Sequence, residues 1–232
     1  MATPPPSSTA APGPNSSGSI ASADRRTLVI ETATAACSVA LIEGGERVAA
    51  LHEVVGRGHA ERLVPMIAEL PGQGRAERLL VDCGPGSFTG VRVGLAAARA
   101  LGIGWGVPVF GYSSTALVAA AAFAADPALR ALAVVLEGGH GEVFMQGFTA
   151  SPPAPEGPLR SLVPDLACAA LAGRAAFGSG VRHLAALDPA LRLHETLPDA
   201  ADAVLLPPDA AALPPRPIYG RAPDAKIPGA RA

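Results

Sequence analysis

The segment from Arg78 to Ser113 constrains the fold of this chain more than any other. It reads RLLVDCGPGSFTGVRVGLAAARALGIGWGVPVFGYS. A short apolar run comes first, followed by a glycine-rich turn, a helix with few polar residues and a second apolar run. Turn and N-cap residues of the kind found between Gly84 and Thr89 mark a junction between a strand and a helix. The pattern therefore predicts a buried strand, a sharp turn, a helix and another buried strand.

The predicted helix, residues 87–106, carries a small residue at every fourth position: Gly90, Gly94, Ala98, Gly102 and Gly106. Residues four apart lie on one helix face, so they form a ridge almost without side chains. Each interior glycine costs about 1 kcal/mol relative to alanine, and close approach of another backbone would offset that cost. Two interpretations follow: the ridge packs against the chain's own sheet, or it receives a helix of a partner.

Composition limits the classes of protein that this chain can represent. It has 232 residues, of which 49% are hydrophobic and 16% charged, and it fits one large domain or two small ones. The net charge of −2 gives no general attraction to nucleic acid, so we expect RNA contact only through a partner. Three widely spaced cysteines without a CxxC motif argue against disulfides and thiolate metal sites.

Residues 1–26 are rich in proline, serine and alanine and lack an apolar signal region, which predicts a disordered tail. No apolar run reaches the length of about 18 residues that a membrane span needs. We therefore expect a cytoplasmic protein with no membrane contact.

The remaining chain reads as alternating strands and helices. Residues 27–54 predict an antiparallel three-stranded meander, and 59–70 an amphipathic helix. With the central segment and an alanine-rich helix over 113–125, they predict an N-terminal α/β lobe over residues 27–126 with a mixed sheet. Residues 127–232 begin a second cycle with strands over 132–136 and 142–148. A proline-rich stretch, 151–158, interrupts that cycle, so we expect an abbreviated second lobe and a tail.

The turn before the helix is a weak candidate for an anion site. Its glycine spacing is one residue too long for the dinucleotide fingerprint, and it has no lysine to make a P-loop. Backbone amides at Gly86 and Ser87, aided by Arg92, could still hold an anion at the helix start. A purely structural turn is the favoured interpretation, with Ser87 as a helix cap and not a nucleophile.

Glu31 and Thr32 close the first strand. In sugar-kinase and actin-type ATPases a comparable hairpin carries an aspartate that holds the metal of MgATP, and glycines that admit the phosphates. Here the acid is Glu31, and Ala33 stands where room is needed. These replacements argue against independent ATP hydrolysis.

Neither a metal site nor a catalytic set can be assembled from the sequence. The five histidines form no HExxH or HxxxH pair, so two imidazoles do not share one helix face. Arg92 and Arg99 lie seven residues apart on one face of the predicted helix, with Leu95 between them. They are either solvated edges of the helix or contacts to carboxylates or phosphates of a partner.

Four segments, LVIETATAACSVAL, GHAERLVPMI, VDCGPGSFTGVRVGLAAARALGIGWGVPVFGYSS and EGGHGEVF, occur in that order. Together they resemble the bacterial TsaB (YeaZ) family, the accessory subunits of tRNA threonylcarbamoyladenosine synthesis in the glycoprotease-like superfamily. The resemblance covers about residues 28–148 and the closing PIYGRAPDAKIP, and it is poor over 151–215. Two positions depart from the family pattern: Glu31 replaces an aspartate, and Glu137-Gly138-Gly139 replaces Asp-Ala-Arg.

The resemblance implies an actin/Hsp70/sugar-kinase-like (RNase H-like) fold with two related lobes. It implies a noncatalytic scaffold that binds a TsaD-type catalytic subunit, is joined by a TsaE-type ATPase and meets tRNA only through the complex. Alone, the chain is expected to form a homodimer. The expected partner interface comprises Gly90, Arg92, Gly94, Leu95, Ala98, Arg99 and Gly102. No resident cofactor is expected, although a nucleotide at the partner interface, near Glu31, Thr32, Gly86 and Ser87, stays open.

Two enzyme hypotheses compete with the scaffold. The first is an independent ATP-binding small-molecule kinase or ATPase that uses Glu31 and the hairpin turn. The second is a metallopeptidase of the glycoprotease type, which the missing histidine ligands oppose.

Overall fold

Two five-stranded mixed sheets form the framework of the protein in a computed structural model, which describes residues 25–220. The first sheet has the order β3-β2-β1-β4-β5. Its strands are β1 (Thr27–Glu31), β2 (Ala36–Glu43), β3 (Glu46–Val54), β4 (Arg78–Asp82) and β5 (Val109–Tyr112). The first three strands pair antiparallel, as the predicted meander requires, and β4 and β5 add in parallel to β1.

Helices α1 (His59–Glu69) and α2 (Phe88–Trp105) cover one face of this sheet. Leu63, Met66 and Ile67 of α1 are buried, which confirms the predicted amphipathic helix. They join Leu95 and Ala98 of α2 in a core against β1, β2 and β4. Because the two helices also contact each other, their opposite faces lie side by side on the outside of the lobe.

Helix α3 (Ser114–Ala125) lies between the two sheets. Leu117 and Ala120 pack into a cluster on the second face of the first sheet. Val118 and Phe123 pack into a separate cluster on the second sheet. A helix buried on both sides is apolar around its circumference, which explains the sequence STALVAAAAFAA.

The second sheet repeats the topology of the first, with the order β8-β7-β6-β9-β10. Its strands are β6 (Ala131–Gly139), β7 (Glu142–Thr149), β8 (Ala154–Leu162), β9 (Ala175–Phe177) and β10 (Leu193–His194). As in the first lobe, a helix follows the third strand and another follows the fourth. These are α4 (Pro164–Leu171) after β8 and α5 (Val181–Ala185) after β9. Both are shorter than α1 and α2 of the first lobe.

The prediction of an interruption over residues 151–158 is wrong, because β8 begins at Ala154 and contains Pro155 and Pro158. Proline is tolerated there because β8 is an edge strand, where one side of the backbone has no neighbouring strand to receive its N–H groups.

The chain returns to the first lobe after β10. A 3₁₀ helix, Ala200–Leu205, packs on β2, β3 and α3, and the Ala200 amide donates a hydrogen bond of 2.8 Å to the Ser38 hydroxyl. The tail part of the predicted 127–232 unit therefore contacts the first lobe. The predicted disordered tail, residues 1–26, falls outside the described residues apart from Arg25 and Arg26. Within residues 25–220, no helix combines the length and the apolar character that crossing a membrane requires.

Candidate functional site

The ridge of small residues on α2 faces the chain's own first sheet. A Cβ atom at Gly90 would overlap the Thr32 carbonyl oxygen, and one at Gly94 would overlap the Thr32 hydroxyl. At Gly102, a Cβ would lie 2.5 Å from a methyl group of Val109. The glycines thus allow α2 to approach β1 closely enough for the Thr32 hydroxyl to donate a 2.8 Å hydrogen bond to the carbonyl oxygen of Gly90.

This packing corrects the expectation that the ridge meets a partner. The sheet already buries five of the residues assigned to that interface: Gly90, Gly94, Leu95, Ala98 and Gly102. The interpretation in which the ridge packs internally is the one that the structure supports. A partner on α2 must therefore contact the opposite face of the helix.

The opposite face of α2 is exposed and mostly apolar. Its residues lie three or four positions apart, with one adjacent pair at 99 and 100, and they are Phe88, Arg92, Ala96, Arg99, Ala100 and Ile103. Ile103 is 85% exposed and Phe88 62%. The neighbouring α1 adds Val64, which is 62% exposed, and the exposed Ala68. We call the set of Val64, Ala68, Ala96, Ala100 and Ile103 the outer face.

Arg92 and Arg99 contact the chain's own C-terminal segment, residues 213–219. The Arg92 guanidinium lies 3.3 Å from the centre of the Phe88 ring and donates a hydrogen bond of 3.2 Å to the Tyr219 hydroxyl. Arg99 donates one of 2.6 Å to the carbonyl oxygen of Pro215. Both arginines therefore border the outer face while holding the segment on α2. The sequence did not reveal these contacts, because their partners lie more than a hundred residues away.

The turn that precedes α2 is packed against other residues of the chain. The Ser87 hydroxyl accepts a 3.2 Å hydrogen bond from the Gly90 amide, which confirms the predicted cap. The Ser87 amide donates to the carbonyl oxygen of Ala33 at 2.6 Å, and a Cβ at Gly86 would overlap that same oxygen. The β1–β2 turn thus occupies the space in front of the helix start. The proposed anion-proximal residues do come together, but Glu31 and Thr32 are fully buried.

Two carboxyl groups lie inside the protein behind this turn, at the ends of neighbouring strands. Glu31 accepts hydrogen bonds from the Ala33 amide at 2.8 Å and from the Tyr112 hydroxyl at 3.0 Å. Asp82, which is also fully buried, lies close enough to Glu31 for the two carboxyl groups to interact electrostatically. Burial, followed by the negative charge of Asp82, raises the pKa of Glu31 well above its usual range. Glu31 is therefore the carboxyl group expected to keep its proton in the folded protein.

Asp82 is the better candidate for the charged partner. It accepts a 2.9 Å hydrogen bond from the Gly84 amide and one from the Ser114 hydroxyl, whose oxygen lies 2.9 Å from both carboxylate oxygens. These donors stabilise its charge, although burial still raises its pKa. This network was not predicted from the sequence. The sequence feature that could have indicated it is an aspartate inside the apolar run RLLVDC, directly before the glycine-rich turn.

Among residues 25–220, no three side chains of the metal-binding types lie close enough to hold a metal ion. The candidate functional features are therefore the outer face and the turn with its buried carboxyl pair.

Comparison with known proteins finds similar sequences and a similar fold. The sequence-family model "TsaD: tRNA N6-adenosine threonylcarbamoyltransferase" matches residues 51–150, a range that contains α1, α2 and α3. The chain is 40% identical over 124 residues to the Escherichia coli tRNA threonylcarbamoyladenosine biosynthesis protein TsaB, which covers 51% of this chain and 53% of that protein. It is 39% identical over 113 residues to the Haemophilus influenzae protein of the same name, covering 47% and 48% respectively. The chain thus spans about half the length of the curated relatives that it matches.

Among solved structures, the fold is similar to that of a Pseudomonas aeruginosa protein described as similar to the peptidase YEAZ. The TM-score is 0.71 at 25% identity, and the match covers 84% of this chain and 99% of that one. Both lobes are therefore present in this structural relative.

Proposed function

We infer that the chain is a member of the TsaB (YeaZ) family of the glycoprotease-like superfamily, and we propose that it takes part in tRNA threonylcarbamoyladenosine biosynthesis. Its proposed role is that of a noncatalytic scaffold, which binds a TsaD-type catalytic subunit and activates it.

The observation that carries this proposal is the outer face. Large apolar side chains such as Ile103 and Val64 stand exposed on two adjacent helices, which is the usual mark of a protein contact. The only charged residues of α2 are Arg92 and Arg99, and both contact the C-terminal segment. Ala96 and Ala100 leave a low surface on which another helix can pack closely.

The family match suggests what kind of partner fits this surface. The TsaD family model covers α1 and α2, so a TsaD-type subunit is expected to carry a related pair of helices. Two related lobes can pair through the same helices about a pseudo-twofold axis, as identical subunits do in a symmetric dimer. In the proposal, the outer face binds a TsaD-type subunit, or a second copy of this chain when that subunit is absent.

The interior of the first lobe supports a noncatalytic role. Glu31 and Asp82 are fully buried and hydrogen-bonded within the chain, so neither carboxyl group can reach a substrate in this arrangement. The contact of Gly86 with Ala33 fills the space that the kinase hypothesis assigned to phosphates. We propose that the chemistry resides in the partner and that a TsaE-type ATPase joins the pair. In this scheme the chain holds no cofactor of its own, and tRNA is met through the complex in the cytoplasm.

Reconstitution tests the proposal. A TsaD-type subunit, a TsaE-type ATPase and the adenylate-forming enzyme are incubated with tRNA, with and without this chain, and threonylcarbamoyladenosine is quantified by mass spectrometry. Modification is expected to require the chain and to fall at least tenfold when Ala100→Glu replaces it. Ala169→Glu changes an exposed alanine of α4 in the second lobe and serves as the matched control. Equal modification in the absence of the chain would exclude the scaffold role.

A further inference from the structure

Arginine side chains gather at the end of the first lobe where β1 and β4 begin. Arg25, Arg26 and Arg75 line a recess of about 730 Å³ together with Glu43, Glu77, Ala76 and Val107. The fourth, Arg78, starts β4 beside them. This local concentration of positive charge contrasts with the net charge of −2 of the whole chain.

The carboxylates of the recess neutralise only part of this charge. Glu43 is engaged by Arg26 at 3.3 Å. Within residues 25–220, no salt bridge to a carboxylate reaches Arg25, Arg75 or Arg78, and Glu77 forms none either. The recess therefore holds more guanidinium groups than ion pairs.

The Arg78 guanidinium is incompletely hydrogen-bonded among the described residues. Its Nε atom is buried and has no hydrogen-bond partner among the described residues. Burial, followed by the positive charge of Arg25, lowers the pKa of Arg78. Buried guanidinium groups normally have partners, because an unpaired donor loses its interactions with water without replacement. An anion close to Arg25 would relieve the repulsion between the two.

Aromatic rings hold two of these guanidinium groups in place. Arg75 lies 5.5 Å from the centre of the Trp105 ring, and Arg78 lies 5.2 Å from that of Phe110. A guanidinium held near a ring by a cation–π contact loses less freedom when it binds a ligand. The planar N–H groups of arginine match the oxygens of a phosphate in a two-point contact.

We propose that the recess between Arg25 and Arg75 binds a phosphate group of a nucleotide or of an RNA backbone. Phosphate oxygens would accept hydrogen bonds from the guanidinium N–H groups of Arg25 and Arg75, while Arg26 stays paired with Glu43. The site is distinct from the outer face, and the proposal does not depend on the scaffold role.

The protein carries a reporter for this test, because Trp105 is its single tryptophan. The purified full chain is titrated at low salt with inorganic phosphate, with ATP and with an unmodified tRNA transcript. Tryptophan fluorescence is excited at the red edge of its absorption band to avoid absorption by nucleotides, and anisotropy of end-labelled tRNA gives an independent measurement. The test variant is Arg25→Gln/Arg75→Gln. The control, Arg57→Gln/Arg160→Gln, removes the same charge from two exposed arginines outside the recess.

We expect a saturable signal that the test variant weakens at least tenfold and the control leaves within about twofold. The two sources of phosphate give different results. A nucleic-acid backbone is identified if tRNA binds more tightly than ATP. The slope of log K against log salt concentration should then decrease in magnitude by roughly one to two in the test variant. Saturation by ATP that tRNA does not compete away identifies a nucleotide. The proposal is overturned if no probe gives saturable binding, or if the control weakens binding as much as the test variant.

Discussion

Gly90→Ala adds one methyl group at the point where α2 touches Thr32, the residue that follows β1. In the structure this methyl would overlap the carbonyl oxygen of Thr32, a backbone atom that cannot rotate away. The helix start must move outward, and the hydrogen bond from the Thr32 hydroxyl to the carbonyl oxygen of Gly90 is then lost. Gly104→Ala is a matched control in the same helix, because nothing lies within 4 Å of the added atom.

The expected magnitude follows from three contributions. Forcing an extra methyl into a packed contact costs about 2 kcal/mol, within the range of 1–3 kcal/mol seen for overpacked cores. The lost hydrogen bond costs about 1 kcal/mol. The better helix propensity of alanine stabilises the variant by about 1 kcal/mol. Gly90→Ala should therefore destabilise the chain by about 2 kcal/mol, whereas Gly104→Ala should stabilise it by up to about 1 kcal/mol.

Thermal unfolding followed by circular dichroism measures both effects. For a chain of this size, about 1 kcal/mol shifts the melting temperature by roughly 2–4 °C. We expect Gly90→Ala to melt about 4–8 °C below the wild type and Gly104→Ala slightly above it. If Gly90→Ala melts at or above the wild-type temperature, α2 does not rest on β1 through its glycines, and the ridge is free to meet a partner.

Two further predictions concern the interior and the C-terminal segment. Glu31→Gln should flatten the pH dependence of stability. The raised pKa of Glu31 means that the native wild type keeps a proton that the unfolded chain releases above its ordinary pKa of 4.5, so wild-type stability falls as the pH rises through the raised value. Urea unfolding at about pH 5 and pH 8 measures this, and equal pH dependence in both proteins would show that Glu31 does not keep its proton in the native protein. Arg99→Gln should speed hydrogen exchange at the Ile218 amide, which donates to the carbonyl oxygen of Cys83, by about fivefold, because it removes the neighbouring contact to Pro215. Unchanged exchange would show that Arg99 does not hold the segment.

Local signals allowed most elements of the first lobe to be predicted. The two tight turns of the meander, the apolar spacing of α1 and the cap at Ser87 each depend on residues within a few positions of one another. Such signals predict the folded structure because the contacts that they reflect lie within one turn or one strand pair.

The side of α2 that is buried could not be predicted in this way. Both sides of the helix carry small or apolar residues, so periodicity alone does not choose between them. The contact with Thr32 decides which side is buried, because the Thr32 hydroxyl donates a hydrogen bond to the carbonyl oxygen of Gly90, 58 positions away in the chain. Long-range contacts of this kind also pair Glu31 with Asp82 and Arg92 with Tyr219.

The second lobe shows a different failure. Pro155 and Pro158 are typical of loops, yet they belong to β8, because an edge strand needs backbone hydrogen bonds on one side only. The position of a strand within its sheet is a property of the whole fold, and proline content alone does not report it.

Binding of a TsaD-type subunit tests the central claim most directly. Isothermal titration calorimetry compares the wild-type chain with Ala100→Glu on the outer face and Ala169→Glu on α4. A carboxylate buried without a partner in a helix interface costs about 3 kcal/mol or more, so we expect Ala100→Glu to weaken binding at least about a hundredfold. The Ala169→Glu control should bind as the wild type does. Wild-type affinity in a folded Ala100→Glu variant would show that the partner binds elsewhere and would contradict the assignment of the outer face.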